Sequence, residues 1–400
     1  MVKKIFLCVI AIIALNVIAF PLNNYEHFYS FQSPYSIGIG KATTAIEILG
    51  TESFMANPAS FSQKFSFELL LASVSLNHIT LGIINDLPSL LSGDQNLIIS
   101  YAVDLVGKPI NFGIGLGLLS FNIPIGGDLI LRLGINSLVN FFFEIHNPLS
   151  SAGFIDLLGN ITGGGYIGAS YSFKNISTGD TEVDKHLRLL SIGINLKMAI
   201  GSGIVENTTL DEIVLRQVNV SGKDILSNLQ TTKFIPDIGI LYKLPLDNKE
   251  GNKQRINIAL SVKDIGGFKI TVGGNEFTLI PTTFNLGVAY FIDLYDYIGS
   301  EITFRQNYIS LDFHDLFFQR RDKDFFKRIH IGLSSEVLNF IDLFSLNLGV
   351  GLNGGYPTLG VALKFLGIIK LSGSVYTEEL GVYAGQDPDV RYLISASIGW

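Results

Sequence analysis

The sequence has almost no cysteine. Its only cysteine is Cys8, which lies inside an apolar stretch near the first residue. Disulfides, cysteine metal sites and cysteine nucleophiles all need thiols in the folded domain. Because the chain beyond that stretch has no cysteine, these three kinds of chemistry are excluded there.

Charge is also scarce, positive charge above all. Charged residues make up 16% of the chain, and the formal net charge is −7. Proteins bind nucleic acids mainly through the phosphates, which need a basic surface. The charge balance therefore argues against a nucleic-acid partner.

The sequence lacks the residue patterns of common catalytic and cofactor sites. The glycine run 163–165 has no following Lys-Ser or Lys-Thr, so it is not a phosphate-binding loop. The histidines are scattered, without the spacing of metal ligands; they are His27, His78, His146, His186, His314 and His330. His330 is predicted to face the interior of the fold, where a structural polar residue is a more common role than catalysis. We therefore predict no enzyme activity, no metal and no cofactor.

Long apolar runs are absent except at the N-terminus. There, Lys3 and Lys4 precede an almost unbroken apolar stretch from Ile5 to Leu15. This pattern is typical of a secretory signal peptide with a cleavage site near Phe20, so we assign residues 1–19 to it. The stretch is short for a membrane-spanning helix, and an uncleaved anchor is the alternative interpretation.

The chain is nevertheless too apolar for an ordinary soluble protein. Hydrophobic residues make up 48% of it, and its mean hydropathy is +0.39. Only helices and closed barrels cross a bilayer with every backbone polar group satisfied. Because no apolar window after the signal approaches the length of a spanning helix, the barrel remains. The 42 glycines and 29 phenylalanines suit a crowded lumen and the two membrane interfaces.

Apolar residues alternate with small or polar ones over segments as long as a tilted membrane strand. The segments 110–118, 190–199, 256–263 and 344–352 show this most clearly. A soluble β-sandwich is the alternative, but its exposed face would carry more charge. We therefore predict an all-β fold, a transmembrane antiparallel β-barrel of about 14 strands over residues 65–400.

An even number of strands places both chain ends on the periplasmic side and the longer connections outside the cell. One of these long connections is 122–162. A sixteen-stranded barrel would result if 127–138 formed a strand with a companion near 78–84. The predicted strands are 65–76, 96–106, 109–121, 163–173, 187–200, 235–244, 254–264, 282–291, 300–313, 328–337, 343–352, 358–365, 368–376 and 391–400.

The last predicted strand has one apolar face and ends on an aromatic residue. The residues that carry this pattern are Tyr392, Ile394, Ile398 and Trp400. Such a strand resembles the signal that the outer-membrane assembly machinery reads, and an ordinary edge strand is the alternative. Together with the signal peptide, it predicts a protein of the bacterial outer membrane, in contact with outer-membrane lipid and with that machinery.

Segments near both ends of the chain resemble a known family. Ser36-Ile37-Gly38-Ile39-Gly40 and Ala56-Asn57-Pro58-Ala59 precede the first strand, and Gly354–Gly360 and Tyr376–Gly381 lie late in the chain. In this order they resemble the FadL-like outer-membrane transporters and their PorV-like relatives. The resemblance implies that residues 20–64 form a short hatch in the barrel lumen. Its characteristic residues are Gly38, Gly40, Asn57, Pro58 and Ala59. A plain turn leading into the first strand is the alternative.

The predicted loop 122–162 is rich in apolar residues, although an exposed loop should be polar. The candidates for ligand capture there are Phe141, Phe142, Phe143, Phe154, Leu157 and Leu158. The alternatives are that they belong to strands or to a loop folded on itself. We therefore predict uptake of hydrophobic small molecules such as long-chain fatty acids, by extracellular capture and a hatch-gated path. A PorV-like barrel that binds envelope or secretion proteins without transport is the second hypothesis, and a general porin is the third.

Overall fold

The fold is known from a computed structural model. It describes residues 33–47, 56–60, 65–90, 104–105, 108–146, 154–209, 231–246, 254–272, 275–293, 305–318, 324–340, 343–381 and 383–399. The predicted signal peptide and Trp400 lie outside the described residues. No helix within these ranges is both long and apolar enough to cross a membrane.

Strands dominate the described chain. They are β1 Ser66–Asn77, β2 Ile110–Ile125, β3 Leu129–His146, β4 Phe154–Ser172, β5 Leu190–Thr209, β6 Thr231–Pro245, β7 Gln254–Lys263, β8 Phe268–Val272, β9 Asn275–Ile280, β10 Thr283–Ile292, β11 Arg305–Phe313, β12 Ile329–Phe340, β13 Phe344–Asn353, β14 Tyr356–Phe365, β15 Ile369–Glu379 and β16 Pro388–Gly399. The α-helices are α1 Pro34–Gly38, α2 His78–Leu90 and α3 Thr181–Leu187, and short 3₁₀ helices cover Pro58–Ser60 and Phe326–Arg328.

Fourteen of these strands form one closed antiparallel barrel, and β8 and β9 form a separate hairpin. The first strand closes the barrel because β1 pairs with β2 on one side and with β16 on the other. Ser73, for example, lies opposite Ser395 of β16 and Gly115 of β2. The predicted all-β fold and the predicted number of strands are confirmed. The start of β1 and the end of β16 lie on the same side of the barrel, where Glu68 is opposite Gly399, and this is the periplasmic side in bacterial barrels of this kind.

The two faces of the wall differ as a membrane barrel requires. In β5, Ile192 and Ile194 are 42% and 50% exposed, whereas Ser191 before them and Asn195 after them are buried. The same alternation runs along the other strands, so an apolar face surrounds the barrel and small or polar residues face inward. In β16, Ile394 belongs to the outer face. This is the surface of a bacterial outer-membrane barrel.

The strand positions differ from the prediction in this part of the chain. Most of the predicted strand 96–106 lies outside the described residues, and β1 pairs directly with β2 in the closed barrel. β3 completes the fourteen strands of the barrel. It contains almost all of 127–138, the segment that the alternative prediction made a strand. The companion near 78–84 is instead the start of α2, where the Asn77 side chain accepts a hydrogen bond from the Thr80 backbone at 2.9 Å. The sixteen-stranded barrel is therefore excluded.

Candidate functional site

The described parts of the hatch, 33–47 and 56–60, lie in the barrel lumen. Helix α1 begins with Ser33, whose hydroxyl accepts a hydrogen bond from the Ser36 backbone at 3.2 Å, and Pro34 occupies its first turn. A serine N-cap followed by proline is a favourable helix start. The helix packs against β13, β14, β15 and β16. The helix therefore lies against the inner face of these four strands.

Two glycines of the hatch permit close contact with the wall. A Cβ atom on Gly38 would overlap the Cα of Gly360 in β14, and one on Gly40 would overlap the carbonyl oxygens of Ile331 and Leu352. Gly40 also has a φ of +66°, which other residues rarely adopt. Both residues are therefore required by packing, apart from any part they play in movement.

Polar atoms of the wall satisfy the hatch backbone next to these glycines. The Thr358 hydroxyl accepts a hydrogen bond from the Gly40 backbone at 3.1 Å and donates one to the Gly38 carbonyl at 3.0 Å. His330 faces the lumen as predicted, with its Nδ1 2.8 Å from the Gly40 carbonyl oxygen. This contact gives His330 a structural role in holding the hatch, as the sequence predicts.

The middle of the hatch is held in the same way. The Thr44 backbone donates to Asp312 Oδ2 of β11 at 2.7 Å, and Asn257 of β7 donates to the Ala45 carbonyl at 2.9 Å. Buried backbone groups need such partners, since leaving one unpaired costs about 1–3 kcal/mol. The hatch is thus bonded to strands on more than one side of the lumen.

Ion pairs of opposite polarity join the two ends of the segment 41–47 to the wall. Lys41 pairs with Glu378, which lies near the extracellular end of β15. Glu47 pairs with Lys243, near the periplasmic end of β6, and its Oε2 lies 3.8 Å from Nη2 of Arg255 in β7. This segment of the hatch therefore runs along the barrel from an extracellular acidic partner to periplasmic basic partners.

The Asn-Pro-Ala step forms a second contact with the wall. Asn57 is 1% exposed; its amide nitrogen donates to the Ile240 carbonyl at 3.0 Å, and its Oδ1 accepts from the Ala59 backbone at 2.9 Å. A Cβ on Gly239 would overlap Asn57, and one on Gly193 would overlap Pro58. The step is therefore seated inside the barrel against β5 and β6, and the alternative of a plain turn before β1 is wrong.

An apolar cluster fills the space between the hatch and one part of the wall. The hatch contributes Ile39, Ala45, Ile46, Ala56 and Ala59, and the wall contributes Leu241, Ala259, Ala289, Phe291 and Tyr308 from β6, β7, β10 and β11. Most of the buried inward-facing residues elsewhere are polar or charged. The lumen therefore has an apolar surface where the hatch sits.

The hairpin β8–β9 covers another part of the inner wall, near the extracellular end. It connects β7 to β10 but packs against β5 and β6, and its first residue, Phe268, is fully buried. At its base, Lys197 Nζ lies 2.7 Å from Asp237 and 2.5 Å from Asp264. Lys197 thus links β5, β6 and the start of the hairpin.

The predicted capture residues do not lie in a loop. They belong to β3 and β4, where Phe142 is opposite Leu158, Phe143 is opposite Leu157, and Phe154 is opposite His146. The connection predicted at 122–162 is instead taken up by the end of β2, a periplasmic turn at 126–128, the whole of β3 and the first part of β4. The backbone of these two strands brings most of the candidates together at that end.

The wall residues that hold the hatch carry no distinctive signal in the sequence. Thr358, Asp312, Lys243 and Arg255 were not singled out, and Thr358 is 318 residues from its partner Gly40. The available signal was a polar residue at an inward position of an alternating strand, but many residues share it. Among the described residues, no group of three or more His, Cys, Asp or Glu side chains is placed to hold a metal ion.

A closed barrel with an N-terminal segment in its lumen is the architecture implied by the FadL-like resemblance. No protein-family model matches the sequence, and no curated protein matches it. Among solved structures, the chain is similar to the toluene transporter TodX of Pseudomonas putida, with a TM-score of 0.47, 11% identity, and coverage of 93% of this chain and 98% of that one. It is also similar to the toluene transporter TbuX of Ralstonia pickettii, with a TM-score of 0.46, 14% identity, and the same coverage of 93% and 98%.

Proposed function

We propose that this outer-membrane barrel takes up hydrophobic small molecules, long-chain fatty acids among them, and that displacement of the hatch opens the path. The observation that carries the proposal is the apolar cluster between the hatch and the strands β6, β7, β10 and β11. When the hatch leaves, the wall residues of this cluster form an apolar surface inside a lumen that is otherwise polar.

Such a surface favours an apolar solute over a polar one. Leu241, Ala259 and Ala289 are at most 1% exposed while the hatch is in place. Exposing them to water is unfavourable, and an apolar ligand that covers them offsets this at about 25 cal/mol per Å². A path for sugars or ions would gain nothing from the same residues.

The position of the hatch supports a gated path rather than the steady aqueous channel of a general porin. The hatch is bonded to β6, β7, β11, β12 and β14 through the contacts of Asn57, Ala45, Thr44 and Gly40. A solute crossing at this level must move the hatch or pass beside it. Transport therefore includes a conformational step.

Uptake by purified protein tests the proposal. The barrel would be inserted into vesicles whose outer leaflet is lipopolysaccharide, and the entry of radiolabelled oleate and radiolabelled sucrose would be compared. We expect oleate to enter much faster than in protein-free vesicles and sucrose to enter at the protein-free rate. Equal acceleration of both solutes would indicate a porin, and acceleration of neither would contradict uptake.

Two neighbouring residues of β6 provide a matched pair of variants. Leu241 faces the cluster and is fully buried, whereas Ile240 is 41% exposed on the outer face. Leu241→Asn should lower the ratio of oleate to sucrose entry, because it makes the inner surface polar. Ile240→Ala should leave that ratio unchanged.

Capture at the extracellular end is a separate part of the proposal. Phe142 and Leu158 lie opposite each other in β3 and β4, and Phe142→Ala should weaken oleate binding to intact protein. Leu131→Ala, on the outer face of the same strand, is the control. If Phe142→Ala binds oleate as the wild type does, capture by these residues is wrong, while uptake through the lumen remains testable by the vesicle assay.

A further inference from the structure

At the periplasmic end of the hatch segment 33–47, one carboxylate lies among several cations. Glu47 pairs with Lys243, lies 3.8 Å from Arg255, and interacts electrostatically with Lys174 in the turn after β4. Asp128, in the neighbouring turn after β2, also interacts with Lys174. The cluster thus has three cations and two anions, and only Glu47 comes from the hatch.

The wall cations are arranged so that an anion stabilises them. Burial raises the pKa of Glu47, and Lys243 and Arg255 lower it by more, so that this pKa lies below its usual value. Burial and repulsion from Lys243 lower the pKa of Lys174. Lys174 and Lys243 are therefore close enough to repel each other, and the carboxylate of Glu47 offsets that repulsion.

The cationic cluster lies at one edge of the apolar cluster in the lumen. The Arg255 guanidinium carbon is 3.8 Å from the centroid of the Phe291 ring, and Nη2 of Arg255 is 3.4 Å from the Tyr308 hydroxyl oxygen. Ile46, next to Glu47 in the chain, is 1% exposed within the same apolar cluster. An apolar surface thus leads directly to a pair of carboxylate-binding side chains.

We infer that Lys243 and Arg255 form a binding site for the anionic headgroup of an amphipathic carboxylate, and that Glu47 of the hatch occupies this site when the lumen is closed. This inference rests on the proposed function and deepens it. The apolar tail lies on the surface formed by Phe291, Tyr308 and Leu241. Glu47 and the ligand carboxylate bind the same two cations, so they exclude each other.

The exclusion couples ligand binding to release of the hatch. A ligand that binds the wall only when Glu47 has left shifts the hatch toward the released state, and by the same free energy a released hatch binds the ligand more tightly. Arginine and lysine both bind carboxylates through charge-assisted hydrogen bonds, and an arginine beside an aromatic ring is well oriented for this. A neutral ligand with the same tail lacks the group that displaces Glu47.

Chemical labelling of the hatch measures its release. Ile46→Cys in a Cys8→Ser background places the only thiol of the chain in the buried cluster, where a maleimide reacts only after the hatch moves. Intact barrels in detergent would be labelled with decanoate, with decanol, with acetate or without addition, each ligand at the same concentration. We expect decanoate alone to accelerate labelling, by roughly 5–150-fold, which is the usual range for coupled sites.

Variants identify the site responsible. Lys243→Met and Arg255→Met should each remove the difference between decanoate and decanol, and Glu47→Gln should label rapidly without any ligand. Lys185→Met removes an exposed cation of α3 near the same end of the barrel and should behave as the starting protein does. Heat-modifiable migration on gels would establish that each variant is a folded barrel.

Several outcomes would overturn the inference. Equal effects of decanoate and decanol would show that the headgroup is not recognised, and equal effects of acetate and decanoate would show that the tail is not. A decanoate effect that survives in both Lys243→Met and Arg255→Met would place the anion elsewhere. If either variant does not fold, direct binding of decanoate to Glu47→Gln decides, because removing the competing carboxylate must raise the affinity. Normal oleate uptake in the vesicle assay alongside any of these results would refute the inference and leave the proposed function intact.

Discussion

The backbone of Gly38 in the hatch packs directly on the backbone of Gly360 in β14. A Cβ atom on either residue would overlap the Cα of the other. No side chain separates the two segments, and the Thr358 hydroxyl bridges them with hydrogen bonds to Gly38 and Gly40. The hatch is therefore held here both by close backbone packing, which glycine permits because it has no side chain, and by these hydrogen bonds.

Gly360→Val should therefore displace the hatch. Overpacking of this kind costs about 1–3 kcal/mol, which corresponds to roughly 5–150-fold in the ratio of seated to released hatch. Planar-bilayer recordings should show more frequent or larger openings than the wild type. Gly373→Ala in β15 is the control, because a Cβ there meets its nearest atom at an ordinary 3.8 Å. Equal conductance of the two variants would show that close packing at Gly360 does not hold the hatch in place.

Deletion of residues 31–62 tests whether the hatch closes the lumen. Closure of the barrel depends on pairing from β1 to β16, so the truncated protein should still fold and migrate in a heat-modifiable way. Its conductance should rise sharply, because the lumen loses the segment that fills it. A folded truncated barrel that conducts no more than the intact one would show that the segment does not block ion flow.

The wall could be predicted from the sequence because each strand carries its own signal. Alternation of apolar and small residues places Ile192 and Ile194 outside and Ser191 inside without knowledge of any other strand. The same signal does not say which strands are neighbours. The alternation therefore predicted a strand at 96–106 and made 127–138 only an alternative, whereas 127–138 belongs to β3 and β1 pairs directly with β2.

Two sets of residues hold the hatch in place, those of the hatch and those of the wall. Only the hatch residues could be predicted from the sequence. Gly38, Gly40 and Asn57 were recognisable from the family resemblance, but their partners depend on how a distant wall closes around them. Asn57 donates to Ile240, 183 residues away in the chain. Contacts of this kind depend on which residues of distant segments meet inside the closed barrel, and the alternation within one strand does not specify this.

Acid should loosen the periplasmic end of the hatch. The pKa of Glu47 lies below its usual value of 4.5, so its ion pairs contribute to hatch seating above about pH 4.5 and are lost as the pH falls through the lowered pKa. Conductance or Ile46→Cys labelling should rise as the pH falls below about 4.5. Glu47→Gln should lack this rise, whereas Glu378→Gln, which alters the Lys41 pair, should retain it. A pH response identical in the wild type and Glu47→Gln would exclude Glu47 as its source.

Lys197→Met should destabilise the barrel more than an ordinary surface substitution. Lys197 holds Asp237, which is fully buried, and Asp264 at the base of the β8–β9 hairpin. Removing one partner of a buried charge group costs about 3–5 kcal/mol, because the carboxylates lose their counterion without regaining water. Urea unfolding followed by heat-modifiable migration would show a lower midpoint.

A second lysine provides the comparison for Lys197. Lys108 pairs with Asp104 at 2.9 Å, but the two side chains are 42% and 72% exposed. Exposed pairs contribute about 0–1 kcal/mol, so Lys108→Met should barely move the unfolding midpoint. The same small change in both variants would mean that Asp237 and Asp264 gain another partner, or protons, when Lys197 is absent. If Lys197→Met does lower the midpoint strongly because of an uncompensated charge, the midpoint should recover in an Asp237→Asn background, because that substitution removes the charge.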